Sequence, residues 1–251
     1  MRRHLTIAGA SLAGSFAASF AALFAASLVT ACASGTSGSP ASPASSAVSS
    51  TAANTVARTA TPTRGVFTLV HGADTIAAER FNRSADRLQV DFTSRGIVLF
   101  NYEASITPQA TIARMQIVTH VPGTPERTSS VTFHGDSAIL IEGAGESAKT
   151  LRTIVPQGTL PYASPSATLM EQIIRRARVI GGTSVAVPLL IASTDGKTAS
   201  AAVSFSGPDS ARMEIAGVTI LLGVDAAGDI LSGSVPSQGV AITRSAAAGA
   251  P

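Results

Sequence analysis

Tryptophan is absent from the 251 residues, tyrosine occurs twice and cysteine once. A single thiol cannot close a disulfide within the chain or supply a multi-thiolate zinc site. Aromatic residues make up 4% and charged residues 13% of the sequence, too little for a nucleic-acid binder built from basic patches and stacking rings. Heptads, a Gly-X-Y repeat and repeated membrane-length apolar runs are also missing, which excludes a coiled coil, a collagen and a multi-pass membrane protein. What is present is 45% hydrophobic, enough for one domain with a single core.

The net charge of +3 divides unevenly. Of the 18 basic residues, Arg2, Arg3, Arg58 and Arg64 precede Gly65, leaving 14 against all 15 acidic residues between Gly65 and Arg244. That body is close to neutral and offers no basic surface to steer a polyanion.

Arg2, Arg3 and His4 form a short basic start, and no charge follows from Leu5 to Ala31, as secretory export requires. The run ends on the only cysteine. Leu28-Val29-Thr30-Ala31-Cys32 resembles the lipobox of bacterial lipoproteins, with Val29 where leucine is commonest. The resemblance implies a signal peptide over 1–31, lipidation of Cys32, and a mature protein held to the membrane by its N-terminal lipid. Ala33 after the cysteine implies sorting to the outer membrane, with the domain facing the periplasm. An uncleaved membrane anchor is the alternative, since 27 uncharged residues are long enough to span a bilayer. From 32 to 64 the chain is rich in Ser, Ala, Thr, Pro and Gly; such a segment cannot bury enough surface to offset its entropy and reads as a disordered tether. The tail 245–251 reads likewise.

The body, 65–244, reads as one β-rich domain. Arg87 to Thr93 alternates strictly, with Leu88, Val90 and Phe92 on one face and Arg87, Gln89 and Asp91 on the other. Hairpin turns are expected at Gly72-Ala73, around Thr107-Pro108-Gln109, and at Gly135-Asp136, Asp195-Gly196 and Ala226-Ala227-Gly228. Pro188 cannot donate to a ladder, so its strand belongs at an edge or carries a bulge. One segment breaks the two-residue period. Leu169, Met170, Ile173, Ile174, Ala177 and Ile180 fall within an arc of about 140° at 100° per residue. This predicts an amphipathic helix over 166–180, capped by Ser164-Pro165 or by a Thr168/Glu171 box and ended by Gly181-Gly182. Glu171, Gln172 and the arginines 175, 176 and 178 are placed on its wet face. The expected architecture is an antiparallel, strongly curved sheet or incomplete barrel of about a dozen strands, its apolar face covered by the helix; a β-sandwich is the alternative.

Catalytic motifs fare poorly. His134-Gly135-Asp136-Ser137 resembles the opening of GDSL, or SGNH, hydrolases, but those need a later Asp-x-x-His and no histidine follows His134. Asp74-Thr75-Ile76 resembles the Asp-Thr-Gly of aspartic proteases with isoleucine in place of the glycine, and without a second copy. His71, His120 and His134 lack metal-ligand spacing. No phosphate loop, dinucleotide fingerprint or nucleophile elbow is present, so no cofactor or metal is expected.

Gly65-Val66-Phe67-Thr68-Leu69-Val70, followed by Asp74-Thr75-Ile76-Ala77 and Glu79-Arg80-Phe81, is similar to the opening of exported β-rich bacterial domains of unknown function. In architecture the body also resembles periplasmic lipoprotein carriers and outer-membrane lipoprotein receptors. That resemblance implies an apolar small molecule or lipid held between sheet and helix, in a crevice lined by Phe92, Phe100, Leu169 and Ile173. The expected function is a lipid-anchored, non-enzymatic envelope protein with such a ligand. A structural or protein-interaction lipoprotein, and a hydrolase using Ser137, His71 and Asp136, are the alternatives.

Overall fold

The computed structural model describes residues 63–246 apart from 96, 193 and 194. The expected leader, the lipobox with Cys32, nearly all of the tether and most of the tail lie outside the described residues. The first strand begins at Thr63 and the last ends at Ala246, two residues beyond each end of the expected body.

Among the described residues, fifteen strands and one long helix follow in order. The first meander comprises β1 Thr63–His71, β2 Asp74–Arg83, β3 Arg87–Ser94, β4 Ile97–Ile106, β5 Ile112–Thr119, β6 Arg127–His134, β7 Ser137–Glu142 and β8 Lys149–Ile154. Then come β9 Leu160–Tyr162, the helix α1 Ala167–Ile180, and β10 Ser184–Ile191. The second meander completes the chain with β11 Thr198–Phe205, β12 Ser210–Ile215, β13 Val218–Val224, β14 Ile230–Val235 and β15 Val240–Ala246. All fifteen lie in one sheet, ordered β8 through β1, then β15 back through β9. The first and last strands therefore meet mid-sheet, from Gly65 opposite Ala246 to His71 opposite Val240.

The expected curved open sheet is what forms, not a sandwich, with fifteen strands rather than about a dozen. A strongly twisted open sheet of more than about ten strands generally curls, splits or flattens, and this one curls. Register shifts at Leu69/Val70, Phe92/Thr93, Ser105/Ile106 and Gly223/Val224 bend it, because each bulge adds local twist. The curl brings the far ends together: a Cβ placed on Gly196, in the β10–β11 turn, would lie 2.7 Å from Leu151 of β8.

The expected hairpin turns form, Gly135-Asp136 among them, where His134 pairs with Ser137. β3 buries Leu88, Val90 and Phe92 in strict alternation. Pro188 lies just before the stretch Leu189–Ile191 of β10 that pairs with β9, so it stands at an edge as expected.

One connection departs from the antiparallel rule. β9 and β10 are parallel neighbours joined through α1, which makes β9–α1–β10 a βαβ crossover and lays the helix across the sheet's apolar face. Ser166 is its N-cap, accepting a hydrogen bond from the Leu169 N–H at 3.2 Å. Neither Ser164-Pro165 nor a Thr168/Glu171 box fills that role, because Glu171 is engaged elsewhere. Gly181, at φ 84°, ends the helix. Leu169, Ile173, Ile174 and Ala177 pack with Phe67, Leu88, Phe92, Met115, Leu189 and Met213 into one core.

Candidate functional site

The helix is buried on more than its apolar arc. Glu171 and Gln172, expected on its wet face, are 0% and 1% exposed. Strand alternation explains what they meet. In β2 the residues Ala77, Glu79, Phe81 and Arg83 share the inward face, so two charges enter the core beside two apolar groups.

Glu79 sits under the helix N-terminus. Its Oε2 accepts the Ala167 N–H at 2.6 Å and the Thr168 N–H at 3.2 Å. Its Oε1 accepts the Ser166 hydroxyl at 2.6 Å and the Tyr102 hydroxyl at 3.3 Å. A carboxylate there meets both the unpaired amides and the positive end of the helix dipole. Burial pushes the Glu79 carboxyl above its ordinary value, and its hydrogen bonds pull it part of the way back. Burial also drives the Tyr102 phenol well up.

One turn along the helix, Glu171 gathers cations. Its Oε2 accepts Arg244 Nη1 at 2.7 Å and the Ile230 N–H at 3.0 Å, while its Oε1 faces Arg83 Nε at 3.3 Å and Arg175 Nε at 3.8 Å. Arg83 Nη1 also donates to Gln172 Oε1 at 2.5 Å. Asp229 completes the cluster by pairing with Arg175 and, at 3.5 Å, with Arg244. Arg244 in turn lies 5.0 Å from the Phe81 ring centroid, a cation–π contact. The cluster ties β2, α1, β14 and β15 together.

The arginines expected on a solvent face are tethers instead. Arg176 donates to the Gln109 carbonyl at 2.9 Å, and Arg178 donates to the Pro208 carbonyl at 2.6 Å while lying 4.1 Å over Phe205. Each fastens a loop to the helix. Glu79 and Glu171 have no exposed surface, and the network they anchor fastens α1 to the sheet, while Asp229 keeps 18% of its side chain exposed.

Phe92, Leu169 and Ile173 are 2%, 1% and 1% exposed. Phe100 stacks on Phe92 with centroids 4.6 Å apart. The four do come close to the core that joins sheet and helix, but none lines either of two cavities found elsewhere. The larger, about 600 Å3, opens on the inner side of β5–β8 near Ala192. Ile117, Val131, Leu140 and Leu151 give it an apolar floor and Arg127, Glu142 and Lys149 a polar rim, with no residue of α1 in its lining. The second, about 550 Å3, lies on the outer side of β2–β5.

The residues considered for hydrolysis stand apart in the sheet. Ser137 begins β7 and donates to the His134 carbonyl at 3.0 Å, whereas His71 ends β1, six places along the strand order. His120 faces Glu126 at 3.2 Å. Among the described residues no cluster of His, Cys, Asp and Glu is placed to hold a metal ion.

The buried network was missed in the sequence, yet β2 carried a sign of it. Glu79 and Arg83 share a strand face with Phe81 by the two-residue period, and a charge on a core face requires a partner.

No protein-family model matches the chain, and no curated protein matches it. Among solved structures it is similar to a β-barrel-like protein of domain of unknown function DUF1849 from Brucella abortus, with 14% identity, 74% of this chain and 98% of that chain covered, and a TM-score of 0.44.

Proposed function

We propose that this chain is an exported, lipid-anchored, non-enzymatic protein of the bacterial envelope, facing the periplasm, that holds a single apolar chain or lipid on the inner face of its curved sheet. The lipobox-like Val29-Thr30-Ala31-Cys32 supports the anchor. The cavity of about 600 Å3 carries the binding half of the reading. Its floor of Ile117, Val131, Leu140 and Leu151 suits a hydrocarbon chain, and Arg127 and Lys149, two cations against the single carboxylate of Glu142 at the rim, suit an anionic head. On this reading the ligand lies beside the helix rather than beneath it, where Phe92, Leu169 and Ile173 pack into the core.

Two measurements test the halves separately. Radiolabelled fatty acid fed to a bacterial host is expected to label the full-length chain, and Cys32→Ala is expected to abolish the label; labelling that persists in the variant removes the anchor. For the ligand, the unit Ala57–Pro251 contains every described strand and the whole core, so it can be exported alone and examined by native mass spectrometry. A stoichiometric adduct released by denaturation is expected, with loss of the adduct in Leu140→Trp, which fills the cavity. A bare mass in the wild type overturns the carrier reading.

A second reading, a protein-interaction lipoprotein, is favoured by one observation. The edge strand β8 leaves Ile154 85% exposed, and an open sheet edge is a template for a partner's strand. A bare mass would make this the reading to pursue.

A further inference from the structure

The outer side of β2–β5 carries two cross-strand rows of side chains, all polar except Val118. One runs Asn82, Gln89, Glu103, Gln116. The other, two residues along each strand, runs Arg80, Asp91, Asn101, Val118. Both stand on the face opposite the buried Phe81, Val90, Tyr102 and Ile117. Together they line the open recess of about 550 Å3. With strands about 4.8 Å apart, each row is about 14 Å long.

The recess is lined by Arg80, Asp91 and Glu103, and with Arg87 beside Glu103 the formal charges sum to zero. Arg80 stands opposite Asp91, and Glu103 accepts from Arg87 Nη2 at 2.6 Å. What remains is carboxamide, with donors and acceptors side by side. Gln89 and Gln116 make no side-chain hydrogen bond among the described residues. Asn101 reaches only His120, at 3.5 Å. The Asn82 Oδ1 is shielded from solvent and has no hydrogen-bond partner.

We infer that this recess binds an uncharged glycan strand. Such a ligand presents closely spaced hydroxyl and acetamido groups that both donate and accept, which is what the carboxamides of Asn82, Gln89, Gln116 and Asn101 satisfy. A simple anion or cation finds no unbalanced charge here. A peptide strand docks at a sheet edge, where backbone groups are free, and this is a face whose backbone is paired on both sides of β2, β3, β4 and β5. The half-buried Val118 offers an apolar ledge for the C–H side of a sugar ring. The inference does not rest on the lipid reading, since the site occupies the opposite face.

The probe is a β-1,4-linked tetramer of N-acetylglucosamine, titrated into isotope-labelled Ala57–Pro251 and followed by NMR. Saturable shifts are expected in the side-chain amides of Asn82, Gln89, Asn101 and Gln116, at an affinity that changes little with salt. Gln89→Ala and Gln116→Ala are each expected to weaken binding roughly tenfold without lowering the melting temperature, because both side chains are exposed. Arg212→Ala, on β12, is expected to leave binding unchanged. Absence of saturable shifts, wild-type affinity in both glutamine variants, loss of binding with salt, or the same shifts from an uncharged pentapeptide would each overturn the inference.

Discussion

Glu171→Gln is expected to destabilise the domain by about 3–5 kcal/mol, the cost of removing one partner from a buried ion pair. For a domain of this size that lowers the melting temperature on the order of 10 °C. The carboxylate has no exposed surface, and Arg83 beside it is 6% exposed. Without its charge, Asp229 is left to balance Arg175 and Arg244, and Arg83 keeps only its bond to Gln172. Burial already lowers the Arg83 and Arg175 guanidinium pKa values from their ordinary range, so neither tolerates the loss of a counter-charge. Glu103→Gln supplies the contrast. Its partner Arg87 and Glu103 itself are each about half exposed, where water screens the pair, and its loss is expected to cost less than about 1 kcal/mol. Urea unfolding of both variants decides the matter. Equal penalties would mean that the Glu171 cluster is wet in solution and does not seat the helix.

How far the sequence reveals this fold depends on where each segment's partners lie. β3 was legible because one side of it meets the core and the other meets water, so Leu88, Val90 and Phe92 alternate with charged and amide residues. β8 shows no such alternation, since it is an edge strand exposed along most of its length. β9 went unseen for the opposite reason: Leu160, Pro161 and Tyr162 are all buried, and three residues define no period. Its existence depends on parallel pairing with β10 across the helix, a long-range fact. The helix itself was legible from its apolar arc, but its polar side was assigned to solvent because helical periodicity cannot report a partner 73 or 89 residues away, as Arg244 and Arg83 are from Glu171 and Gln172. The residues of the expected crevice pack into the core for a related reason. An apolar arc on a helix and an apolar sheet face look alike whether they enclose a ligand or one another, and here Phe92, Leu169 and Ile173 fill the space between them.

Replacing Glu79 by glutamine is expected to produce a stability loss that shrinks as pH rises. Two opposing effects set the sign. Four donors converge on the carboxylate at the start of a helix, which favours the charged form; complete burial favours the neutral form and is the larger effect, so the folded-state pKa lies above the ordinary carboxylate value. A group raised in this way contributes stability that is fully present below its unfolded pKa and is lost as pH climbs through the folded one. Glutamine has no such transition. It does carry a fixed penalty, because its NH2 cannot accept, and either the Ser166 and Tyr102 hydroxyls or the Ala167 and Thr168 amides lose their acceptor, at about 1–3 kcal/mol per buried donor left unpaired. The variant is therefore weakest relative to wild type in acid, and the gap narrows toward neutral and mildly alkaline pH. Denaturant unfolding of the two proteins across that range tests the sign, and a gap that widens with pH would mean that the four donors outweigh burial. In the first case the ionised carboxylate is the strained state of the seated helix, and the amides of Ala167, Thr168 and Leu169 should gain hydrogen-exchange protection as the pH falls, after correction for intrinsic exchange rates. In the second, the ionised carboxylate is what anchors the helix start, and the same amides should lose protection in acid.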